Sequence, residues 1–191
     1  MIKAILLAAG QSKRFGNKNK LLIKYKKKPL IYYSLLSLLK SNIDKVIIVI
    51  GFEKNKLKKI IPKNKKITFV ENKKFKKGIS SSIKIGLKKI SQKDKGFLIV
   101  HSDMPFIKYS SVNKIYNSIL KKNHLVHALK FKNKIGNPIG FNISILNKFQ
   151  KIRGDFGAKY LVRRLKNSTN FIKIGSKKDF LDFDKFSDFK K

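Results

Sequence analysis

The chain opens on a hydrophobic run, Ile2 to Leu7, that passes directly into Leu7-Ala8-Ala9-Gly10-Gln11-Ser12-Lys13-Arg14-Phe15-Gly16-Asn17-Lys18-Asn19-Lys20. No other stretch narrows the choice of fold as far. A buried strand carries the backbone to the edge of a sheet. There the small residues Ala8, Ala9 and Gly10 let the main chain approach a ligand closely, and Gly16 permits a second sharp turn. Arg14 brings forked donors matched to phosphate oxygens, and Lys20 brings a point charge, so the loop reads as a triphosphate binder. Two familiar phosphate patterns are missing. No Gly-Lys-Ser/Thr follows four residues after a glycine, and the spacing from Gly10 to Gly16 is not the dinucleotide fingerprint. Taken alone, the loop can also be read as a glycine-containing turn after a strand.

Periodicity beyond the loop predicts an α/β chain. Pro29 to Asn42 carries Leu30, Ile31, Leu35, Leu38 and Leu39 on a helical period, and Val46 to Ile50 is a continuous β-branched run suited to a parallel strand buried on both faces. A lysine-rich helix over Glu53 to Ile61 stops before Pro62, and Ile67 to Val70 is the next strand. The order βαβαβ implies a sheet whose ligands gather at the carboxyl ends of its strands. Further strands are expected at Gly96 to Val100, His124 to Phe131 and Phe171 to Ile174. Helices are expected at Tyr109 to Lys121 and from Gly154 through Leu165. With 191 residues and no linker or repeat, the expectation is a single domain, residues 1–191.

The formal net charge of +37 would ordinarily point to nucleic acid or an anionic membrane. Only four of the 47 basic residues are arginine, however, and Ile and Asn are abundant, a profile that an AT-rich genome produces whatever the function. A solvated lysine surface is therefore the first reading, and attraction for polyanions such as nucleotides the second. Aromatic residues are not interleaved with the lysines as in an RNA-recognition motif, so no nucleic-acid partner is expected. Cysteine is absent, which excludes disulfides and thiolate chemistry. The opening apolar run is too short for a signal or a membrane span, leaving cytoplasmic residence without a membrane partner as the expectation.

Two more stretches carry chemistry. Gly78-Ile79-Ser80-Ser81-Ser82 opens a helix whose hydroxyls and free N–H groups could hold a base edge or ribose, or could simply cap the helix. Asp103, in His101-Ser102-Asp103-Met104-Pro105, stands at the mouth of a strand that Pro105 terminates. That is a good position for a magnesium ligand, since magnesium takes one or two carboxylates and completes its shell with phosphate oxygens and water. His101 reads as a packed or partly exposed histidine.

Leu-Ala-Ala-Gly-x-Ser-x-Arg-Phe-Gly at 7–16, followed by Asn19-Lys20-Leu21-Leu22, resembles the signature of nucleotidyltransferases in the MobA-like superfamily, above all molybdenum cofactor cytidylyltransferases and their guanylyltransferase relatives. Gly78-x-Ser80-x-Ser82, Asp103-Met104-Pro105 and Gly154-Asp155-x-Gly157-Ala158 follow the same family in the same order. The resemblance implies a three-layer α/β/α Rossmann-like fold of the GT-A type with a mostly parallel mixed sheet. Nucleotide binding then falls to Leu7, Ala8, Ala9, Gly10, Ser12, Arg14, Lys20, Gly78, Ser80, Ser82 and Asp103, with Arg14, Lys20 and Asp103 in catalytic roles. Mg²⁺, or Mn²⁺, would sit on Asp103 with a second carboxylate from Leu181-Asp182-Phe183-Asp184, either Asp182 or Asp184, of which Asp184 is preferred. Gly136, Asn137, Pro138 and Asp155 would face the acceptor. Asn137 replaces a family histidine, Lys159 replaces an arginine, and Lys185-Phe186 replaces Thr-Pro. Asp155 reads equally as a helix N-cap.

The implied reaction is transfer of CMP from CTP to molybdenum-bearing molybdopterin with release of pyrophosphate, serving a molybdoenzyme client. Ala9, where the guanylyl relatives have glycine, narrows the space for a purine. GTP as donor, a sugar phosphate or isoprenoid phosphate as acceptor, and a non-enzymatic module that holds RNA or the cofactor are the alternatives.

Overall fold

The computed structural model describes residues 1–16, 18–155 and 157–190. Asn17 and Phe156, which stand in two of the motifs above, lie outside them. The opening run forms strand β1 (Ile2–Ala8). A two-strand hairpin, β2 (Lys24–Tyr25) and β3 (Lys28–Pro29), then leads into helix α1 (Leu30–Lys40). β4 (Lys45–Ile50), α2 (Lys54–Ile60) and β5 (Ile67–Glu71) follow, then α3 (Ile79–Leu87), β6 (Gly96–His101) and α4 (Tyr109–Leu120). The last third adds β7 (Val126–Phe131), β8 (Lys134–Asn142), a nine-residue 3-10 segment (Ile143–Lys151), α5 (Ala158–Arg164) and β9 (Thr169–Lys173).

Seven strands make one sheet in the order β5-β4-β1-β6-β8-β7-β9, in which only β8 runs against its neighbours. The cause is visible in β4 and β6. Val46 to Ile50 and Gly96 to Val100 are buried residue after residue, so both faces of these strands need a cover. On one face Ala4, Leu6, Ile48 and Leu98 pack against Leu30 and Leu35 of α1 and Val112 and Ile115 of α4. On the other, Ile5, Val49, Phe97 and Ile99 pack against Ile83 of α3 and Leu161 of α5. The result is the expected three-layer α/β/α arrangement. Each buried leucine or isoleucine contributes about 1.5–3 kcal/mol, and this core fixes the strand ends that carry the site. α3 can lie close to β1 because residue 86 is glycine. A Cβ there would come within 2.5 Å of Ile5 Cγ2.

Several local expectations change. The hairpin β2–β3 and the 3-10 segment have no periodic signal in the sequence. Gly136-Asn137-Pro138, for which the periodicity gave no element, lies inside β8, where the register with β7 shifts between Ala128 and Leu129. Among the described residues, no helix is long and apolar enough to cross a membrane.

Candidate active site

The carboxyl ends of β1 and β6 lie side by side, with Leu7 opposite His101, so the loop after β1 and Asp103 after β6 share one edge of the sheet. Ser102 fastens them together. Its hydroxyl donates to the Leu7 carbonyl at 2.6 Å, and its own carbonyl accepts from Ser34 Oγ of α1 at 3.1 Å. A larger residue at 102, which is 3% exposed, would push the two ends apart. Within the loop, Ser12 Oγ accepts from the Lys20 backbone N–H at 3.2 Å, and buried Asn19 accepts from Leu21 N–H while donating to the Phe52 carbonyl. The turn is thereby folded back so that Lys20 points across the sheet edge.

Lys20 is the hub. Its Nζ lies 2.6 Å from Asp103 Oδ2, 3.0 Å from Asp184 Oδ1 and 2.9 Å from the Phe183 carbonyl, while Arg14 Nη1 lies 2.9 Å from Asp184 Oδ2. Burial works against the Lys20 ammonium, yet Asp103 and Asp184 outweigh it and hold its pKa above the ordinary lysine value. Burial likewise opposes ionisation of Asp184, but its bonds to Lys20 and Arg14 hold it below the usual carboxylate range. The chain's final segment reaches the site because the Phe183 N–H donates to the Asp103 carbonyl at 2.9 Å and the Phe186 ring packs 4.7 Å from Phe15.

A cleft of about 670 Å³ runs from this hub toward α3. Leu7, Ala9, Gly10, Lys13, Gly78, Ser82, His101, Asp103, Gly154 and Asp155 are among the residues that line it. An adjoining pocket of about 490 Å³ is lined by Ser12, Arg14, Lys20, Asp103, Asp155, Asp182 and Asp184, with His101 common to both. The far wall depends on one backbone contact. Gly78 has φ of +89°, and the Ser80 N–H donates to the Gly154 carbonyl at 3.0 Å, so two motifs 76 positions apart meet here, by about one atom's width.

A family model described as the MobA-like NTP transferase domain matches residues 4–169. The chain belongs to this family. Among its relatives, the bifunctional protein GlmU of Thermosipho africanus is 29% identical over 174 residues, 91% of this chain and 37% of that protein. The 2-C-methyl-D-erythritol 4-phosphate cytidylyltransferase of Lachnoclostridium phytofermentans is 30% identical over 140 residues, 70% of this chain and 58% of that protein. The chain thus spans less than two thirds of the length of either. In fold it is similar to Rv0371c of Mycobacterium tuberculosis, with TM-score 0.84 and 19% identity over 99% of this chain and 95% of the other. The same Mycobacterium protein has also been solved as a complex with manganese (TM-score 0.81, 18% identity, 99% and 96% of the two chains).

Of the residues that the MobA-like signature picks out, Arg14, Lys20, Asp103 and Asp184 come together, with Ser12 behind them. Leu7, Ala9, Gly10, Gly78 and Ser82 line the cleft, whereas Ala8 and Ser80 are buried beneath it. Ser82 lies within the first turn of α3 rather than capping it, and accepts with Ser81 from Asn72 Nδ2 at 3.0 and 2.9 Å. Asp155 does not cap α5, which starts after Gly157, and lines both pockets instead. Between the two candidate second carboxylates, Asp184 is the one bonded to Lys20 and Arg14, while Asp182 lines the smaller pocket. Gly136, Asn137 and Pro138 are outside both linings. Gly136 faces the Phe180 ring, and Asn137 is buried with its Oδ1 unpartnered. Asn19, Asn72 and Ser102 shape the site without figuring among the expected site residues. Asn19 stands in the Asn-Lys-Leu-Leu of the signature, whereas Asn72 and Ser102 sit among charged and polar neighbours that give them no signal of their own.

Proposed function

We propose that this chain transfers a nucleoside monophosphate from a nucleoside triphosphate to a phosphorylated acceptor, with CTP as donor and a molybdopterin-type phosphate as acceptor. The observation that carries the reading is the hub itself, an ammonium shared by Asp103 and Asp184 at the mouth of a glycine-walled cleft.

The residues present fit a divalent ion. Asp103 Oδ1 is buried without a hydrogen-bond partner, and a buried carboxylate oxygen left unpaired is costly unless a ligand completes it. Magnesium needs only one or two carboxylates, completing its shell with phosphate oxygens and water, and Asp103 and Asp184 supply two on either side of Lys20. Asp103 and Asp184 would hold Mg²⁺ or Mn²⁺, which neutralises triphosphate charge when bound.

The rest follows from the chain's own groups. The loop after β1 brings backbone N–H groups and Lys13 to the phosphates, while Ala9 limits the room for the base. Arg14 is 70% exposed and its pair with Asp184 is a weak surface pair, so the guanidinium can turn to phosphate oxygens at little cost. Lys20, fixed by three partners, holds its charge where the transferred group must pass. An acceptor phosphate oxygen attacks the α-phosphorus, the bond from that phosphorus to the bridging oxygen breaks, and pyrophosphate departs with that oxygen. No nucleophilic side chain is needed, because positioning and charge stabilisation carry the step.

The junction of the Gly78 and Gly154 elements supports the molybdopterin-type acceptor, since these two motifs set that resemblance apart. The cytidylyltransferase relative favours a second reading, with the same donor and a methylerythritol phosphate acceptor. Mass spectrometry of each acceptor after incubation with CTP or GTP and Mg²⁺ decides. A cytidylate adduct on molybdopterin supports the first reading, one on methylerythritol phosphate the second, and a guanylate adduct overturns the donor.

A further inference from the structure

Four of the ten acidic residues in this very basic chain, Asp179, Asp182, Asp184 and Asp188, fall between positions 179 and 188. Such crowding in one short segment asks for a reason at each position. Asp179 is buried and accepts from Ser111 Oγ of α4 at 2.8 Å, which ties the start of the segment to the fold. Asp182 lines the smaller pocket, and Asp184 belongs to the hub. Asp188 is half-buried and lies outside both linings. Its Oδ2 instead accepts from two successive backbone N–H groups, that of Asp184 at 2.8 Å and that of Lys185 at 2.9 Å.

The Asp184 carboxylate requires such a hold. It is 44% exposed and its partner Arg14 70%, so packing does not fix it. On the side entering Asp184 the chain is anchored by Phe183, buried in the core with its N–H on the Asp103 carbonyl. On the side leaving it, Lys185 and Phe186 are both exposed, and the anchor is Asp188. The Asp188 N–H returns to the Lys185 carbonyl at 3.0 Å, which closes a tight loop. Phe189, next in the chain, packs 5.1 Å from Phe183 and 5.9 Å from Phe15 of the loop after β1, and so holds Asp188 in turn. Bonds from backbone amides to an ionised carboxylate are stronger than those to a neutral oxygen, which suits this one side chain to fixing an exposed turn.

Resting on the nucleotidyl-transfer reading, we infer that Asp188 is a positioning residue, which fixes the main chain of Asp184 so that its carboxylate stays between Lys20 and Arg14, available with that of Asp103 to a divalent ion. Asp188 touches no reacting group and acts only through Asp184. Its removal takes away no ligand. It frees the turn after Phe183, and ordering Asp184 again then costs conformational entropy each time an ion binds. Partners that orient a ligating carboxylate in this way set much of a site's affinity for its metal.

The test compares wild type with Asp188→Ala, Asp188→Asn, Asp184→Asn and the combination of Asp188→Ala with Asp184→Asn. Mn²⁺ is titrated into each protein without nucleotide, the bound ion is read by water-proton relaxation, and pyrophosphate release with CTP, Mg²⁺ and each phosphorylated acceptor is measured alongside. Loss of the two backbone bonds predicts Mn²⁺ binding about fivefold weaker in Asp188→Ala, and no weaker than in Asp184→Asn. Asp188→Asn keeps an accepting oxygen and should lie closer to wild type. With Asp184 already replaced, Asp188→Ala should add less than about twofold, because the group it positions is gone. Unchanged Mn²⁺ binding in a folded Asp188→Ala variant, or an equal loss in the Asp184→Asn background, overturns the inference and leaves nucleotidyl transfer standing. If Asp188→Ala does not fold, Asp188→Glu, which keeps the charge but displaces the accepting oxygen by one methylene, is read against the same outcomes. A wild type that releases pyrophosphate but binds no Mn²⁺ overturns the inference as well, and one that does neither removes both readings.

Discussion

Lys20 Nζ and Asp103 Oδ2 stand 2.6 Å apart, although 83 positions separate them in the chain. Both side chains are mostly buried, 14% and 17% exposed, so the pair is shielded from the solvent that weakens surface ion pairs. The other Asp103 oxygen is buried and unpartnered. One carboxylate thus faces a fixed cation on one side and an unmet requirement on the other, and the first predictions come from that asymmetry.

Lys20→Met should leave Asp103 and Asp184 facing each other without the cation between them. Turnover should fall by about 10²–10³-fold, the usual cost of removing one preorganised charge partner at a reacting phosphate. Circular dichroism should show a folded protein, and the kcat measured at saturating CTP carries the effect.

The two carboxylates should not be equivalent. Asp184 is 44% exposed against 17% for Asp103, and Arg14 competes for it. Asp103→Asn should therefore raise the Mg²⁺ concentration needed for half-maximal activity by about tenfold or more, with a smaller rise for Asp184→Asn. Chelation with EDTA should abolish activity, and Mg²⁺ or Mn²⁺ should restore it. A magnesium titration of each variant reads this out.

Gly78→Ala tests the wall of the cleft. The new Cβ would lie 2.6 Å from the Gly154 carbonyl group at a φ of +89°, and neither is tolerable without displacing the Gly154 loop. A cost of about 2 kcal/mol and a fall of about 6 °C in Tm are expected, together with a raised CTP KM.

Stability should also depend on pH through His127, far from the cleft. The ring is fully buried, with Nδ1 2.7 Å from Ser118 Oγ, itself 2.7 Å from Asn170 Nδ2, and with Nε2 unpartnered. Burial, helped by nearby His124, pushes its pKa down to about 4. Between the ordinary histidine value of 6.5 and that value the unfolded chain binds a proton that the folded chain does not. Stability therefore falls as pH drops through this window, by about 3 kcal/mol in all. Urea unfolding from about pH 7 to about pH 4 measures it, and His127→Gln should flatten that part of the profile.

The strands that build the site could be read from the chain because β4 and β6 are continuous apolar runs, a pattern that few other structures produce. The loop after β1 was legible for a related reason, since small residues and spaced charges immediately after such a run leave little choice of role. What pattern could not supply was pairing between distant side chains. Nothing local marks Phe183 as the residue that ties the final segment to Asp103, or Asn72 as the donor to Ser81 and Ser82. Asp155 resembled a cap because it precedes a helical period, but α5 begins only at Ala158 and frees that carboxylate for the cleft. His101 read as a packed residue because a lone histidine at a strand end gives no signal until the neighbouring strand ends are in place.

The most direct measurement is pyrophosphate release by wild type and by Asp103→Asn, with CTP, Mg²⁺ and each phosphorylated acceptor. The account predicts release that requires the acceptor and falls by about 10²-fold or more in the variant. A folded wild type that binds CTP yet releases no pyrophosphate with any acceptor, or a variant with full turnover, would contradict it.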